Sequence, residues 1–177
     1  MGAPLANGAV PRLPEEIPCG AFRLWRTVTA EQLSLLVPHA NNVQIVSWID
    51  EAARAHGDAT GLTRERMHAQ GRMWFVARHE IDYLAESFAG DEILIGTWLT
   101  AVTKTTATRA THVWRRPLLE DPWETAVEAS SRWVHMNLQS RRPTRIPPGD
   151  LAAYGWTATG PDSTVPTPIP HPHDPLP

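Results

Sequence analysis

The chain has 177 residues, 42% hydrophobic and 20% charged, with a formal net charge of -3. That composition suits a globular domain with a real core and excludes the broad basic face of a nucleic-acid-binding module. It leaves room for a basic patch confined to one pocket, enough to hold the phosphates of a nucleotide-like substrate. No apolar stretch approaches the length of a membrane span, and the opening residues, MGAPLANGAVPRLPEE, carry acids and no apolar run of the signal-peptide kind. No membrane partner and a cytoplasmic location are therefore expected. The one cysteine, Cys19, can form neither an intramolecular disulfide nor a cysteine metal cluster, and neither metal nor cofactor is expected.

Residues 1–20 contain Pro and Gly without periodicity and are expected to form a flexible arm. Ala21–Thr29 alternates apolar and polar residues and predicts a strand. Asn41–His56 places Ile45, Ile49 and Ala52 at helical spacing, with Val46, Ala53 and His56 alongside, predicting one amphipathic helix ended by Gly57. Leu62–Gln70 predicts a short second helix with a threonine cap and Gly71 as its stop. Four strand-like runs follow: Met73–Leu84, Glu92–Val102, Thr105–Arg115 and Thr125–Leu138, joined by turn-forming segments. From Arg141 the composition turns proline-rich, and 149–177 is expected to be a disordered tail. The order strand, long helix, four strands predicts an α+β domain in which an antiparallel sheet wraps around the helix. Trp25, Trp74, Trp98, Trp114 and Trp133 each fall on a different strand, which suggests that one face or an edge of the sheet is covered by a second subunit.

The segment VPHANNVQIVSWIDEAAR carries the most chemistry. A helix opening with Asn41 and Asn42 has a side-chain cap and free backbone N–H groups at its positive end, where a developing oxyanion can be held. His39 stands just before it, a titratable imidazole beside that cradle. Asp50 and Glu51 lie further along the same helix, about three turns from its start, and reach the cradle only across a subunit interface or not at all.

PHANNVQIVSWIDEAAR resembles the GHVNN-x-x-Y-L-x-W-x-E-E-A-R segment of the 4-hydroxybenzoyl-CoA thioesterase-like hotdog proteins. RMWFVARHEIDYLAESFAGDEILIGTW and SSRWVHMNLQSRRPTRIP resemble that family's later strands in the same order, so the resemblance covers residues 21–148. It implies a hotdog fold, a homodimer or homotetramer, and an acyl-CoA (or acyl-carrier-protein) substrate bound at the subunit interface. Its members hydrolyse the thioester with a carboxylate while a backbone amide at the helix start polarises the carbonyl. By position His39 and Asn41 match the family's His and first Asn, and the polarising amide belongs to Asn42 or its neighbours.

One departure bears on mechanism. The family's aspartate, four residues before the His, is Leu35 here, and the Gly before the His is Pro38. Leucine neither accepts a proton nor attacks a carbonyl. The replacement candidates are Glu51 and Asp50 first and His39 next, ahead of Glu31, Glu65, Glu80 and His79. For the CoA phosphates, Lys104, Thr105, Thr106 and Arg109 at a strand start are the candidates, with Arg141, Arg142 and Arg145 after the last strand. Two alternatives stand beside a thioesterase: a non-catalytic protein that binds acyl thioesters, for which Leu35 is the main support, and a dehydratase or hydratase of the same fold.

Overall fold

The computed structural model describes residues 13–14, 17–157 and 160–161. Most of the expected arm and the segment beyond 161 therefore lie outside the described residues. Strand β1 (Phe22–Thr27) leads through a 3-10 turn (Ala30–Gln32) into helix α1 (Asn42–Ala59) and the short α2 (Arg64–Ala69). Strands β2 (Arg72–Tyr83), β3 (Glu92–Val102), β4 (Thr106–Arg116) and β5 (Glu124–Asn137) follow, then the short β6 (Arg142–Pro143). The described chain closes with α3 (Pro148–Ala153) and a two-residue ladder of β7 (Trp156–Thr157) and β8 (Gly160–Pro161).

The main strands form one antiparallel sheet in the order β1-β3-β4-β5-β2, with β6 beside β5. Helix α1 seats on one face of this curled sheet. Its buried residues Ile45, Trp48, Ile49 and Ala52 recur at the spacing of a single helical stripe and form one cluster with Phe22 and Leu24 of β1, Ile93 and Ile95 of β3, Val113 of β4 and Val127 of β5. Alternation along the strands turns Ile93, Ile95, Thr97 and Leu99 towards α1, and Ala107, Arg109, Thr111 and Val113 beside them. Strand β2 lies at one edge of the sheet, as β1 lies at the other: it pairs with β5 alone, and its Phe75 and Val76 stand exposed.

The expected strands and both expected helices are present, with three differences. Gly57 does not end α1, which runs on to Ala59. A side-chain carbon at Gly57 would stand 3.1 Å from the Leu62 carbonyl and 3.2 Å from the Tyr154 hydroxyl, so the glycine admits a close neighbour rather than a stop. The turn comes at Gly61, with φ of +74°. Residues 149–157, expected within the tail, instead form α3 and β7. Asp150 of α3 is buried and ion-paired to Arg72 of β2, and Tyr154 packs edge-on against His56 with ring centroids 5.0 Å apart. Trp114, expected among the aromatics offered to another subunit, is buried within the chain itself, where it packs against Gly96 and lies 5.5 Å from the His112 ring.

Ile49 is fully enclosed beneath α1. Ile49→Ala is expected to lower unfolding free energy by about 2–5 kcal/mol through lost burial and a residual cavity, read from urea denaturation midpoints. A change well under 1 kcal/mol would mean that α1 does not seat on the sheet as described.

Candidate functional site

Two places draw chemistry-bearing groups together, one at each end of α1. At the start, Asn41 is the N-cap: its side-chain oxygen accepts from the Gln44 N–H at 2.8 Å, and its amide donates to the Gln32 carbonyl at 3.3 Å. The N–H groups of Asn42 and Val43 are left without intrahelical acceptors, as the geometry of a helix start requires, and both residues are exposed. The 85–88 loop closes against this start, with the Ala40 N–H donating to the Ser87 carbonyl at 2.8 Å. That contact brings the Glu86 carboxylate to 3.5 Å from His39 Nδ1, an ion-pair distance for a protonated imidazole. Glu86 was missed in the sequence because it follows a strand at no distinctive spacing from His39. Its role depends on a loop contact more than forty residues away along the chain.

The helix start is flanked by exposed Leu35, Leu36, Val37 and Val43. Leu35 thus occupies an open surface position beside the site. Glu31 and Glu65 are exposed at helix starts capped by Thr29 and Thr63, where backbone and threonine hydrogen bonds hold both carboxyls below the usual range. Glu80 is exposed and pairs with Arg78 at 2.5 Å, while His79 Nδ1 lies 2.7 Å from the Ser131 hydroxyl.

Asp50 and Glu51 lie along α1, away from its start, and each faces a cation. Glu51 is ion-paired to Arg26 of β1, and Asp50 contacts Arg64 of α2 at 2.8 Å. Within one protomer neither joins His39, Asn41 and Asn42.

The second place is a cavity of about 390 Å³ between the far half of α1, α2 and the sheet. Its walls are mostly apolar, with Leu99, Ala107, Met67, Met73, Trp74 and Trp133 among them. Arg109 lines it too. Of the four proposed phosphate ligands, Lys104, Thr105 and Thr106 sit together at the β3–β4 turn, where the Thr106 and Thr103 hydroxyls are 2.7 Å apart. Arg109 is not with them. Strand alternation turns it under α1, where its Nη1 donates to His56 Nδ1 at 2.9 Å and to the Thr97 hydroxyl at 3.3 Å, beneath the Tyr154 ring. The pattern Ala107, Arg109, Thr111, Val113 carried that signal, since it shares one strand face with apolar residues.

Burial first, and then the Arg109 charge, push the His56 pKa down to about 2, so the imidazole stays neutral and accepts from Arg109. Burial raises the Tyr154 hydroxyl above its ordinary value, so it stays protonated. Among the described residues no cluster of His, Cys, Asp or Glu is arranged to hold a metal ion, and no helix is long and apolar enough to cross a membrane.

A curled antiparallel sheet with few helices is a fold shared with solved thioesterase structures. The model of the acyl-ACP thioesterase N-terminal domain matches residues 38–154, well over half of the chain, and the protein belongs to that family. Solved structures of the same fold include a 1,4-dihydroxy-2-naphthoyl-CoA thioesterase from Synechocystis, 16% identical with a TM-score of 0.68 over 76% of this chain and 95% of that one. A Staphylococcus aureus protein in complex with CoA is 16% identical, with a TM-score of 0.68 over 85% of this chain and 96% of that one. A protein assigned as an oleoyl thioesterase from Lactobacillus plantarum is 22% identical, with a TM-score of 0.67 over 76% of this chain; the chain spans 50% of its length. Comparison with the curated proteins gives no match. The thioesterase resemblance of the sequence therefore holds, and the matching family is the acyl-ACP one.

The His56 environment sets a pH dependence. Its folded pKa of about 2 lies below the ordinary 6.5, so the unfolded chain takes up the proton more readily. This contribution to stability is whole above pH 6.5 and is lost as the pH falls from there towards 2. By pH 5 the loss is about 2 kcal/mol. Urea midpoints at pH 7.5 and 5 are expected to differ more for the wild type than for His56→Gln. Equal pH dependence in the two proteins would show that His56 is not a buried neutral acceptor.

Proposed function

We propose that the protein hydrolyses acyl thioesters of coenzyme A or of an acyl carrier protein, with His39 as general base at the start of α1. The observation that carries this reading is the approach of Glu86 to His39 beside the free N–H groups of Asn42 and Val43. His39 takes a proton from the attacking water while the Glu86 carboxylate stands 3.5 Å from its Nδ1. The thioester carbonyl accepts from the helix-start N–H groups, which strengthen their hold as the oxygen gains charge. Collapse of the tetrahedral intermediate expels the thiolate, which takes the proton back from His39. Family membership supports the reaction class, and the resident cation partners of Asp50 and Glu51 favour His39 over either as the substitute for the absent aspartate.

The acyl chain is assigned to the cavity beneath α1, in the hotdog arrangement with α1 as the central helix. The cavity's wall on α1 runs from Asp50 to Asp58, eight to sixteen residues beyond Asn42, about 12–24 Å along the helix. A homodimer resolves that separation by bringing the helix start of one protomer to the cavity of the other. Two features support the pairing: β2 is an open edge with exposed Phe75 and Val76, and these same residues line the cavity. Lys104, Thr105 and Thr106 remain candidates for the phosphates of the CoA or carrier-protein arm. A cytoplasmic location fits such a substrate.

Thiol release from short, long and aromatic acyl-CoAs tests the reading. His39→Ala is expected to lower kcat by about 10²–10⁴-fold, with Glu86→Gln lowering it less. Asp50→Asn and Glu51→Gln are expected to keep turnover within a few-fold. Loss of turnover in Glu51→Gln or Asp50→Asn with His39→Ala unaffected would move the base to the helix carboxylates. Acyl-CoA binding without turnover on any substrate would favour the non-catalytic alternative that exposed Leu35 suggests.

A further inference from the structure

The cavity beneath α1 contains a charge that the protein leaves uncompensated. Four of its five ionic wall groups pair with one another: Arg54 with Asp58 at 2.7 Å and Arg64 with Asp50 at 2.8 Å, all four partly exposed. The fifth, Arg109, is 4% exposed and meets only neutral groups, the His56 imidazole, the Thr97 hydroxyl and the Tyr154 ring face. Both of its hydrogen bonds leave from Nη1, so Nη2 has no acceptor among the described residues. Neither neighbour supplies a counter-charge: an imidazole carries no negative charge in either protonation state, and burial holds the Tyr154 hydroxyl protonated. A desolvated guanidinium without a carboxylate is strongly unfavourable, and an apolar side chain would serve the packing better. The remaining walls are largely apolar, and about 390 Å³ is the size of a small-ligand site.

We propose that this cavity receives an apolar chain ending in a carboxylate, and that Arg109 binds that carboxylate through the guanidinium edge left open by His56 and Thr97. The rim acids do not oppose this, since Asp50 and Asp58 are each neutralised by their own arginine. The inference deepens the thioesterase reading and rests on it only in taking the chain to be an acyl group. Two sources share this chemistry. The carboxylate is either the far end of a dicarboxylic half-thioester substrate or the carboxylate of the free acid that hydrolysis releases.

Trp74 and Trp133 line the cavity, so the tryptophan fluorescence of the full chain reports occupancy. Titration with decanoate and with decanol separates charge from chain. Decanoate is expected to bind at least about tenfold more tightly than decanol. Arg109→Gln is expected to erase that preference, and Arg109→Lys to retain part of it. Equal affinity for the two ligands in the wild-type protein, a comparison that needs no variant to fold, would overturn the proposal. So would a decanoate preference that survives Arg109→Gln.

The two sources are told apart by kcat/KM for ω-carboxynonanoyl-CoA against decanoyl-CoA. A preference for the carboxylated thioester that disappears in Arg109→Gln assigns the carboxylate to the substrate. Equal turnover with Arg109-dependent inhibition by decanoate assigns it to the product. The fluorescence titration involves no turnover, so its result stands if thioester hydrolysis fails. Conversely, hydrolysis without any carboxylate-dependent binding removes this inference and leaves the hydrolase reading intact.

Discussion

The seating of α1 on the sheet is the constraint from which both chemical features follow. Ile45, Trp48, Ile49 and Ala52 bind the helix to β1, β3, β4 and β5 along one stripe. Once that stripe is placed, the direction of the helix is settled. Its capped start meets the 85–88 loop, and its far half stands over the inward-facing residues of β3 and β4. The N–H groups of Asn42 and Val43 and the His56–Arg109 contact are thus opposite ends of one rigid element. An enzyme that holds the reacting carbonyl at one end and the chain at the other needs such an element, because catalytic groups set on a packed helix keep their geometry without further ordering.

The two ends differ in character. At the start the polar groups are exposed or half-buried, His39 partly and Glu86 openly. Beneath the far half the polar groups are enclosed: Thr97, Thr111, Arg109, Ser131 and His56 are all buried. Polar residues on the buried face of a sheet carry an energetic cost where an apolar one would pack as well, and of these five Arg109 lines the cavity. On the proposed reading the first end transfers the proton and the second discriminates among chains.

Much of this was legible in the sequence. The 3.6-residue recurrence of apolar positions after Asn41–Asn42 located α1, and alternation located the strands, because both signals come from burial on one side of a regular element. Gly57 misled, since a glycine near a helix end looks like a terminator when it is needed for the approach of Tyr154. The proline-rich run after Arg141 hid α3, where Pro148 opens a helix, a position at which proline is well tolerated. Arg109 was grouped with Lys104, Thr105 and Thr106 by nearness in sequence, although strand alternation sets it on the helix-facing side. Glu86 carried no local signal at all, because its meeting with His39 is purely tertiary.

The central claim is that the thioester carbonyl is bound at the start of α1 beside His39. The most direct test is a crystal structure with a ketone analogue of an acyl-CoA, in which a methylene replaces the thioester sulfur. The account predicts the ketone oxygen about 3 Å from the N–H of Asn42 or Val43, with His39 facing the carbonyl carbon and an ordered water between them. A ketone bound away from that helix start, with Asp50 or Glu51 of either protomer facing its carbon, would contradict it.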